Sequence, residues 1–166
     1  MIRDHTLHLN AVDTQQLTRW MKSALAAGEA GVQAGENPFG AAIFAVDGTQ
    51  VVAANNTVNS TNNPAAHAEV NAIADASRSL GRSDLGGYWL LATAEPCPMC
   101  LSAAVIAGIR NIAFGANQVV VNEAGYGGLG ICSRELANQF NCEIVLRGSI
   151  LGNDCVRFLL NNRKPN

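Results

Sequence analysis

Three absences narrow what this sequence can be. No apolar run approaches the roughly 20 residues that a membrane-spanning helix requires. Residues 1–6 contain no basic stretch followed by an apolar one, as an export signal would. Positive charge is not in excess either, because the chain has 11 Lys and Arg residues and 13 Asp and Glu residues, which gives a net charge of −2. We therefore expect a cytoplasmic protein with no membrane partner, and the charge balance argues against nucleic acid held through its phosphates.

The chain is also poor in charge of either sign. Charged residues make up 14% of the 166 residues and hydrophobic residues 48%, which is a globular composition. A chain of this length can build one sizeable core but is short for two, so we predict a single α/β domain over residues 1–166. The five cysteines are an odd number, which favours a reducing compartment over a framework of disulfides.

Hydrophobic periodicity, turn signals and helix caps predict alternating helices and strands. Helices are predicted over residues 14–34, 64–81, 98–107, 133–140 and 154–161. Strands are predicted over residues 39–45, 51–54, 88–93, 112–116 and 143–146, with 119–121 as a less regular strand segment. Asp47-Gly48 is a hairpin signal, so the first two strands should be antiparallel. The strand, helix, strand order over residues 88–116 predicts a parallel crossover.

The chemistry of the chain is concentrated in two short stretches. Cys97 and Cys100 are three positions apart at the start of a predicted helix, and His67 lies thirty residues before Cys97. Two thiolates and one imidazole are soft ligands that suit Zn²⁺. Three protein ligands leave one tetrahedral position open for water, as in catalytic zinc sites. We therefore predict that His67, Cys97 and Cys100 bind a zinc ion.

Glu69 follows His67 by two residues, near enough to reach a water molecule on such a metal. A carboxylate in that place can take a proton from the water and deliver it to a substrate, so Glu69 is the candidate catalytic acid and base. His-x-Glu followed by Pro-Cys-x-x-Cys is the pattern of zinc deaminases, in which the glutamate is not a ligand. The chain contains it as His67, Glu69 and residues 96–100.

Two other interpretations of the cysteines remain. A Cys-x-x-Cys at a strand-to-helix junction is also typical of thiol oxidoreductases. A closed structural zinc site, as in a non-enzymatic zinc-stabilised binding domain, would need a fourth ligand. The candidates for that ligand are Cys132, Cys142, Cys155, His5 and His8. Neither interpretation requires Glu69, and we therefore favour the open site.

Beyond the metal motif, residues 37–160 resemble the cytidine-deaminase-like superfamily, in its branch of guanine deaminases and tRNA adenosine deaminases. Three stretches carry this resemblance, namely Asn-Pro-Phe-Gly-Ala at 37–41, Asn-Asn-Pro-Ala-Ala-His-Ala-Glu-Val at 62–70 and Glu-Pro-Cys-Pro-Met-Cys at 95–100. The resemblance implies a three-layer α/β/α fold with a five-stranded mixed sheet. It also implies a homodimer.

The resemblance also implies substrate contacts. Asn56 occupies the position at which related enzymes place an asparagine that hydrogen-bonds the base, although an asparagine here could equally cap its own turn. Phe39 could stack on the ring or fill the core. Ala68, between His67 and Glu69, is a further candidate contact. Tyr126 lies in a glycine-rich loop, residues 125–130, and could close over the substrate.

For the substrate, the resemblance implies a nucleobase or similar amino-heteroaromatic small molecule, and guanine, converted to xanthine and ammonia, is the expectation. Residues 123–126, Glu-Ala-Gly-Tyr, are similar to the Glu-Ala-Gly-Phe of guanine deaminases. Two features depart from that family, and we expect both positions to influence the choice of substrate: Ile106 stands where the family has a tryptophan, and Gly127-Gly128 where it has an acidic residue. Residues 142–155 are closer to the ending of tRNA adenosine deaminases, which act on a flipped-out adenosine and are the alternative.

Overall fold

The computed structural model describes residues 12–165, which form seven helices and five strands. The helices are α1 (Thr14–Gln33), α2 (Val58–Thr61), α3 (Ala68–Leu80), α4 (Pro98–Ile106), α5 (Gln118–Glu123), α6 (Ser133–Ala137) and α7 (Gly152–Asn161). The strands are β1 (Gly40–Phe44), β2 (Gln50–Asn55), β3 (Trp89–Ala94), β4 (Asn111–Ala116) and β5 (Val145–Arg147). His5 and His8, named above as possible fourth ligands, lie outside the described residues.

The five strands form one mixed sheet in the order β2-β1-β3-β4-β5. Strand β1 is antiparallel to both β2 and β3, and the predicted hairpin over Asp47-Gly48 joins β1 to β2. Strands β3, β4 and β5 are mutually parallel, which confirms the predicted crossover through α4 as a parallel connection. The five-stranded mixed sheet of the predicted fold is thus confirmed.

Helices cover both faces of this sheet, so the fold has three layers. Helix α1 begins at the N-cap Asp13, whose Oδ1 accepts a hydrogen bond from Gln16 N at 2.7 Å. Its buried residues recur every three or four positions and pack, together with α7, against one face. Alanines of α3 and residues of α4 pack against the other face, where alternate residues of β1 such as Ile43 point. Small side chains let both helices lie close to the sheet.

Three local predictions were wrong. The second predicted helix, α3, begins at Ala68 rather than at residue 64, because Asn63 Oδ1 accepts from Ala65 N and folds residues 63–66 into a turn. Residues 119–121, predicted as strand, lie in α5. Asn117 caps that helix by accepting from Val120 N at 3.2 Å. Within the loop predicted over residues 55–63, the chain makes the short helix α2.

None of the helices within residues 12–165 combines the length and the apolar character needed to cross a membrane.

Candidate metal centre

His67, Cys97 and Cys100 come together at the ends of two helices. His67 is the N-cap of α3, Cys97 is the N-cap of α4, and Cys100 lies in the first turn of α4. His67 Nδ1 is 3.7 Å from Cys97 Sγ and 3.5 Å from Cys100 Sγ. The three ligand atoms all lie within 4.8 Å of one another. The predicted ligands therefore converge on one point.

This geometry fits zinc. Tetrahedral zinc with Zn–S bonds of about 2.3 Å and Zn–N bonds of about 2.0–2.1 Å separates sulfur and nitrogen ligands by about 3.6 Å. The two observed nitrogen-to-sulfur distances of 3.7 and 3.5 Å bracket that value. Within residues 12–165, no further His, Cys, Asp or Glu side chain joins the group, so Cys132, Cys142 and Cys155 do not complete a closed site. The described residues form a three-ligand site.

The surroundings of the cysteines favour a thiolate. A hydrogen bond from the Cys100 thiol lowers the pKa of Cys97 to about 4. The same bond to Cys97 raises the pKa of Cys100, and a hydrogen bond with Cys97 raises the pKa of His67. The N-terminal end of α4 adds unpaired N–H groups beside these sulfurs. Because metals bind thiolates, this environment prepares the site for a cation.

Glu69 is held close to these ligands inside the protein. It lies in the first turn of α3, and only 8% of its surface is exposed. Burial raises the pKa of its carboxyl group above the ordinary value. Glu69, His67 and Cys97 line the same cavity. A buried carboxyl group beside a metal site can accept a proton from water and donate it to a substrate.

The cavity in front of these residues has two connected parts. The first has a volume of about 200 Å³, and its lining includes His67, Glu69, Cys97, Asn37, Phe39, Asn56 and Lys164. The second, of about 140 Å³, lies under the glycine-rich loop and also reaches His67 and Cys97. Tyr126 and Glu95 border both parts. The metal group thus lies at the junction of two small chambers.

Asn56 caps its own turn and also lines the cavity, and its hydrogen bond to a base stays a prediction. Its Oδ1 accepts from Val58 N at 3.0 Å and so closes its own turn. It is also 98% buried and lines the same cavity as Glu69. Because its carbonyl oxygen is already bound, the Nδ2 group, which has no acceptor within residues 12–165, is the part that can donate to a ligand.

Phe39 and Tyr126 meet edge to face, with ring centroids 5.1 Å apart and planes at 87°. Both rings line the cavity, and Phe39 also packs against both cores, which confirms its role in the core; its stacking on a substrate ring stays a prediction. The Tyr126 hydroxyl donates to Asn162 O at 2.8 Å, and Lys164 Nζ lies 5.0 Å from its ring. The chain after α7 therefore holds Tyr126 in place.

Two other predicted determinants lie away from the cavity. The Ala68 side chain is completely buried in the core between α3 and the sheet, so its contact with a substrate stays a prediction. Ile106, which we expected to influence the substrate, is 87% exposed at the end of α4 and does not line the cavity. That expectation about Ile106 is not supported within this chain.

Sequence reasoning missed Lys164, Val121 and Glu95 as cavity residues. Lys164 belongs to a polar tail with no local signal of a site, and it reaches the cavity because its backbone N–H donates to Ala124 O at 3.0 Å. Val121 was assigned to a strand. The Asn117 cap could have identified that segment as a helix.

Comparison with known proteins identifies a family and relatives with known activities. The family profile described as cytidine and deoxycytidylate deaminase zinc-binding region matches residues 14–116. Guanine deaminase of Bacillus subtilis is 39% identical over 108 residues, covering 64% of this chain and 69% of that protein. The tRNA-specific adenosine deaminase of Bacillus subtilis is 30% identical over 141 residues, covering 82% of this chain and 81% of that protein. The structure of guanine deaminase from Nitrosomonas europaea matches with a TM-score of 0.81 and 25% identity, covering 88% of this chain and 84% of that chain.

One relative is much longer than this chain. The tRNA(Ile)-lysidine synthase of Deinococcus radiodurans is 33% identical over 139 residues. The match covers 84% of this chain but 23% of that protein.

Proposed function

The chain belongs to the cytidine and deoxycytidylate deaminase zinc-binding family, and we propose that it is a zinc-dependent hydrolase that converts guanine to xanthine and ammonia. One observation carries the proposal: the buried Glu69 lines the same cavity, of about 200 Å³, as His67 and Cys97, two of the three residues that converge as metal ligands. Pockets for drug-sized ligands begin at roughly 300 Å³, so this chamber suits a molecule as small as a single base. The similarity to guanine deaminases adds support for guanine.

In the proposed reaction, His67, Cys97 and Cys100 would hold a zinc ion. When bound, zinc lowers the pKa of water and so supplies a nucleophile at neutral pH. Glu69 takes the proton of that water and passes it to a ring nitrogen of the base while the water oxygen bonds to the amino-bearing carbon. Glu69 then passes the second proton to the amino group, the carbon–nitrogen bond breaks, and ammonia leaves. The balance is one water consumed and one ammonia released.

The cavity walls orient the base in this proposal. Asn56 Nδ2 donates to an acceptor on the ring edge, and the Phe39 ring bounds the chamber in which the base lies. Tyr126 covers the opening. Lys164 is a further donor at the rim, and within residues 12–165 it forms no ion pair with a carboxylate. A keto-purine such as guanine presents ring and carbonyl acceptors that these donors suit.

The second candidate is deamination of adenosine in tRNA. The tRNA-specific adenosine deaminase of Bacillus subtilis aligns with a larger share of this chain than the guanine deaminase does. A net charge of −2 alone is therefore a weak argument against nucleic acid. The single domain, the homodimer and the cytoplasmic location expected from the sequence are further parts of the proposal. The exposed Ile106 and Val119 are apolar side chains that a second subunit would cover.

A panel of substrates separates these candidates. Zinc-loaded protein would be incubated with guanine, adenine, cytosine, a triazine and an adenosine-containing tRNA stem-loop, and released ammonia measured. We expect guanine to be the best substrate. Ammonia from the stem-loop alone would replace guanine by RNA as the substrate. If zinc is bound and no compound in the panel releases ammonia, the result would instead favour a non-enzymatic zinc-stabilised domain.

A further inference from the structure

We propose that Glu95 is a positioning residue that holds the glycine-rich loop over the metal group. This inference rests on the proposed function only for its kinetic consequence. Glu95 precedes the ligand Cys97 by two residues, borders both chambers of the cavity and is partly buried. It is not one of the residues that converge as ligands. Its role follows from what its two carboxylate oxygens bind.

Each oxygen of Glu95 accepts a hydrogen bond from the first residue of a different helix. Oε2 accepts from Gln118 N, at the start of α5, at 2.8 Å. Oε1 accepts from Ser133 N, at the start of α6, at 2.8 Å. Ser133 Oγ also donates to Pro96 O at 2.7 Å. The helices on both sides of the glycine-rich loop are therefore tied to the turn that carries Cys97.

The loop has few other attachments. Tyr126 fixes its beginning through Val121 O and Asn162 O. Residues 127–131 form no hydrogen bond with any other residue within 12–165. The next anchors are at Ser133, whose N–H donates to Glu95 and whose Oγ donates to Pro96 O. The position of residues 127–131 over His67 and Cys97 is thus held by Tyr126 at one end and by Ser133 at the other, where Glu95 supplies one of two hydrogen bonds.

Only a carboxylate satisfies both N–H groups. Its two oxygens are acceptors, and the N-terminal ends of the two helices favour negative charge. No Lys or Arg within residues 12–165 forms an ion pair with Glu95, so backbone N–H groups hold its charge. Glutamine has the same shape but would turn an NH₂ group towards one of the two N–H donors. Glu95→Gln should therefore release one of the two helices.

The test compares zinc-loaded wild type with Glu95→Gln. Hydrogen exchange of the helical amides of Val121, Ala124 and Leu136 reports opening of α5 and α6. We expect exchange at one or more of these amides to accelerate about tenfold, as loss of a hydrogen bond to a charged group implies. Zinc content should be unchanged. The KM for guanine should rise several-fold more than kcat falls, with an unshifted pH profile.

Two controls match this substitution. Glu123→Gln makes the same change at the end of α5, where the side chain is exposed and has no hydrogen-bond partner within residues 12–165, and should behave as wild type. Glu36, which does not line the cavity, accepts from Asn59 N and Ser60 N, both at 2.9 Å. Glu36→Gln should accelerate exchange near α2 and leave α5 and α6 unchanged.

A second variant keeps the test decisive if Glu95→Gln is unstable. Gln118→Pro deletes the N–H that Glu95 Oε2 accepts, at a first helical position where proline fits. The preceding Asn117 is already extended, with φ −80° and ψ 171°. In a double variant that combines Glu95→Gln with Gln118→Pro, the NH₂ group of the introduced glutamine no longer faces an N–H group. Exchange of Leu136 should therefore be slower in the double variant than in Glu95→Gln alone.

Several outcomes would overturn the proposal. Unchanged exchange in α5 and α6 would show that Glu95 does not hold these helices. Loss of zinc would show that it acts through the metal turn. A fall in kcat with a shifted pH profile and a constant KM would show proton transfer instead of positioning. If guanine is not a substrate, the exchange and zinc measurements still decide the role of Glu95.

Discussion

Burial of Glu69 has a consequence for stability as well as for chemistry. Its raised pKa means that the folded protein binds the proton more tightly than the unfolded chain does. The contribution of Glu69 to stability is then most favourable below its unfolded pKa and is lost as pH rises through the folded pKa. Above that pH, burying the charged carboxylate costs free energy, and Glu69→Gln removes this cost. We expect the metal-free variant to unfold at pH 7 at the same temperature as the metal-free wild type or higher.

Thermal unfolding followed by circular dichroism measures this difference. A clearly lower unfolding temperature for Glu69→Gln would show that the carboxylate stabilises the fold and would contradict the burial argument. Glu123→Gln, at an exposed site, is the control and should leave the unfolding temperature unchanged.

The metal ligands predict how zinc affinity depends on pH. The pKa of Cys97, about 4, means that this sulfur is already a thiolate at pH 7, whereas Cys100 retains its proton. Zinc binding must displace that proton, and also any proton on His67, whose pKa is raised. We therefore expect zinc affinity to fall about tenfold or more per unit as pH drops from 8 to 6. Competition with a chromophoric chelator measures it, and a constant affinity would contradict this linkage.

The metal group could be predicted from the sequence because its parts are local. Cys97 and Cys100 share one helical turn, and His67 with Glu69 forms a second short pattern. The cavity wall could not be predicted in the same way. Lys164 and Tyr126 become neighbours only through packing of the chain after α7. No spacing in the sequence encodes that contact.

At the scale of elements, strong periodicity and turn signals were reliable and helix ends were not. The 20-residue α1 and the hairpin between β1 and β2 follow the predicted pattern closely. Three consecutive valines at 119–121 favour a strand by propensity, but the Asn117 cap and the contact of Val120 and Val121 with the core make them helical. Tertiary packing thus outweighed local propensity there.

The approach of β1 to α1 gives a prediction about one glycine. A Cβ atom on Gly40 would lie 1.9 Å from Ala24 O and 2.5 Å from Gly28 N, both backbone atoms that cannot move alone. Gly40→Ala should therefore lower the free energy of unfolding by about 1–3 kcal/mol or more. Gly128→Ala is the matched control, since nothing lies within 4 Å of its added Cβ. Urea titration measures both, and equal stability of the two variants would contradict the close approach.

At the scale of the whole molecule, the sheet has a core on each face that does not need the metal. Helices α1 and α7 pack on one face, and α3 and α4 on the other, while the metal group lies at the helix N-termini. We therefore expect chelation of zinc to abolish activity but to leave the far-ultraviolet circular dichroism spectrum nearly unchanged. Cooperative unfolding on chelation would instead indicate a structural zinc site.

The central claim is tested most directly by incubating guanine with zinc-loaded wild type and with zinc-loaded Glu69→Gln. The account predicts that wild type forms xanthine and ammonia in equal amounts. The variant should retain stoichiometric zinc and be slower by at least about 10²–10⁴-fold, because a glutamine cannot carry the proton. Near-normal turnover by the variant would contradict the role of Glu69, and no xanthine from the zinc-loaded wild type would contradict guanine as the substrate.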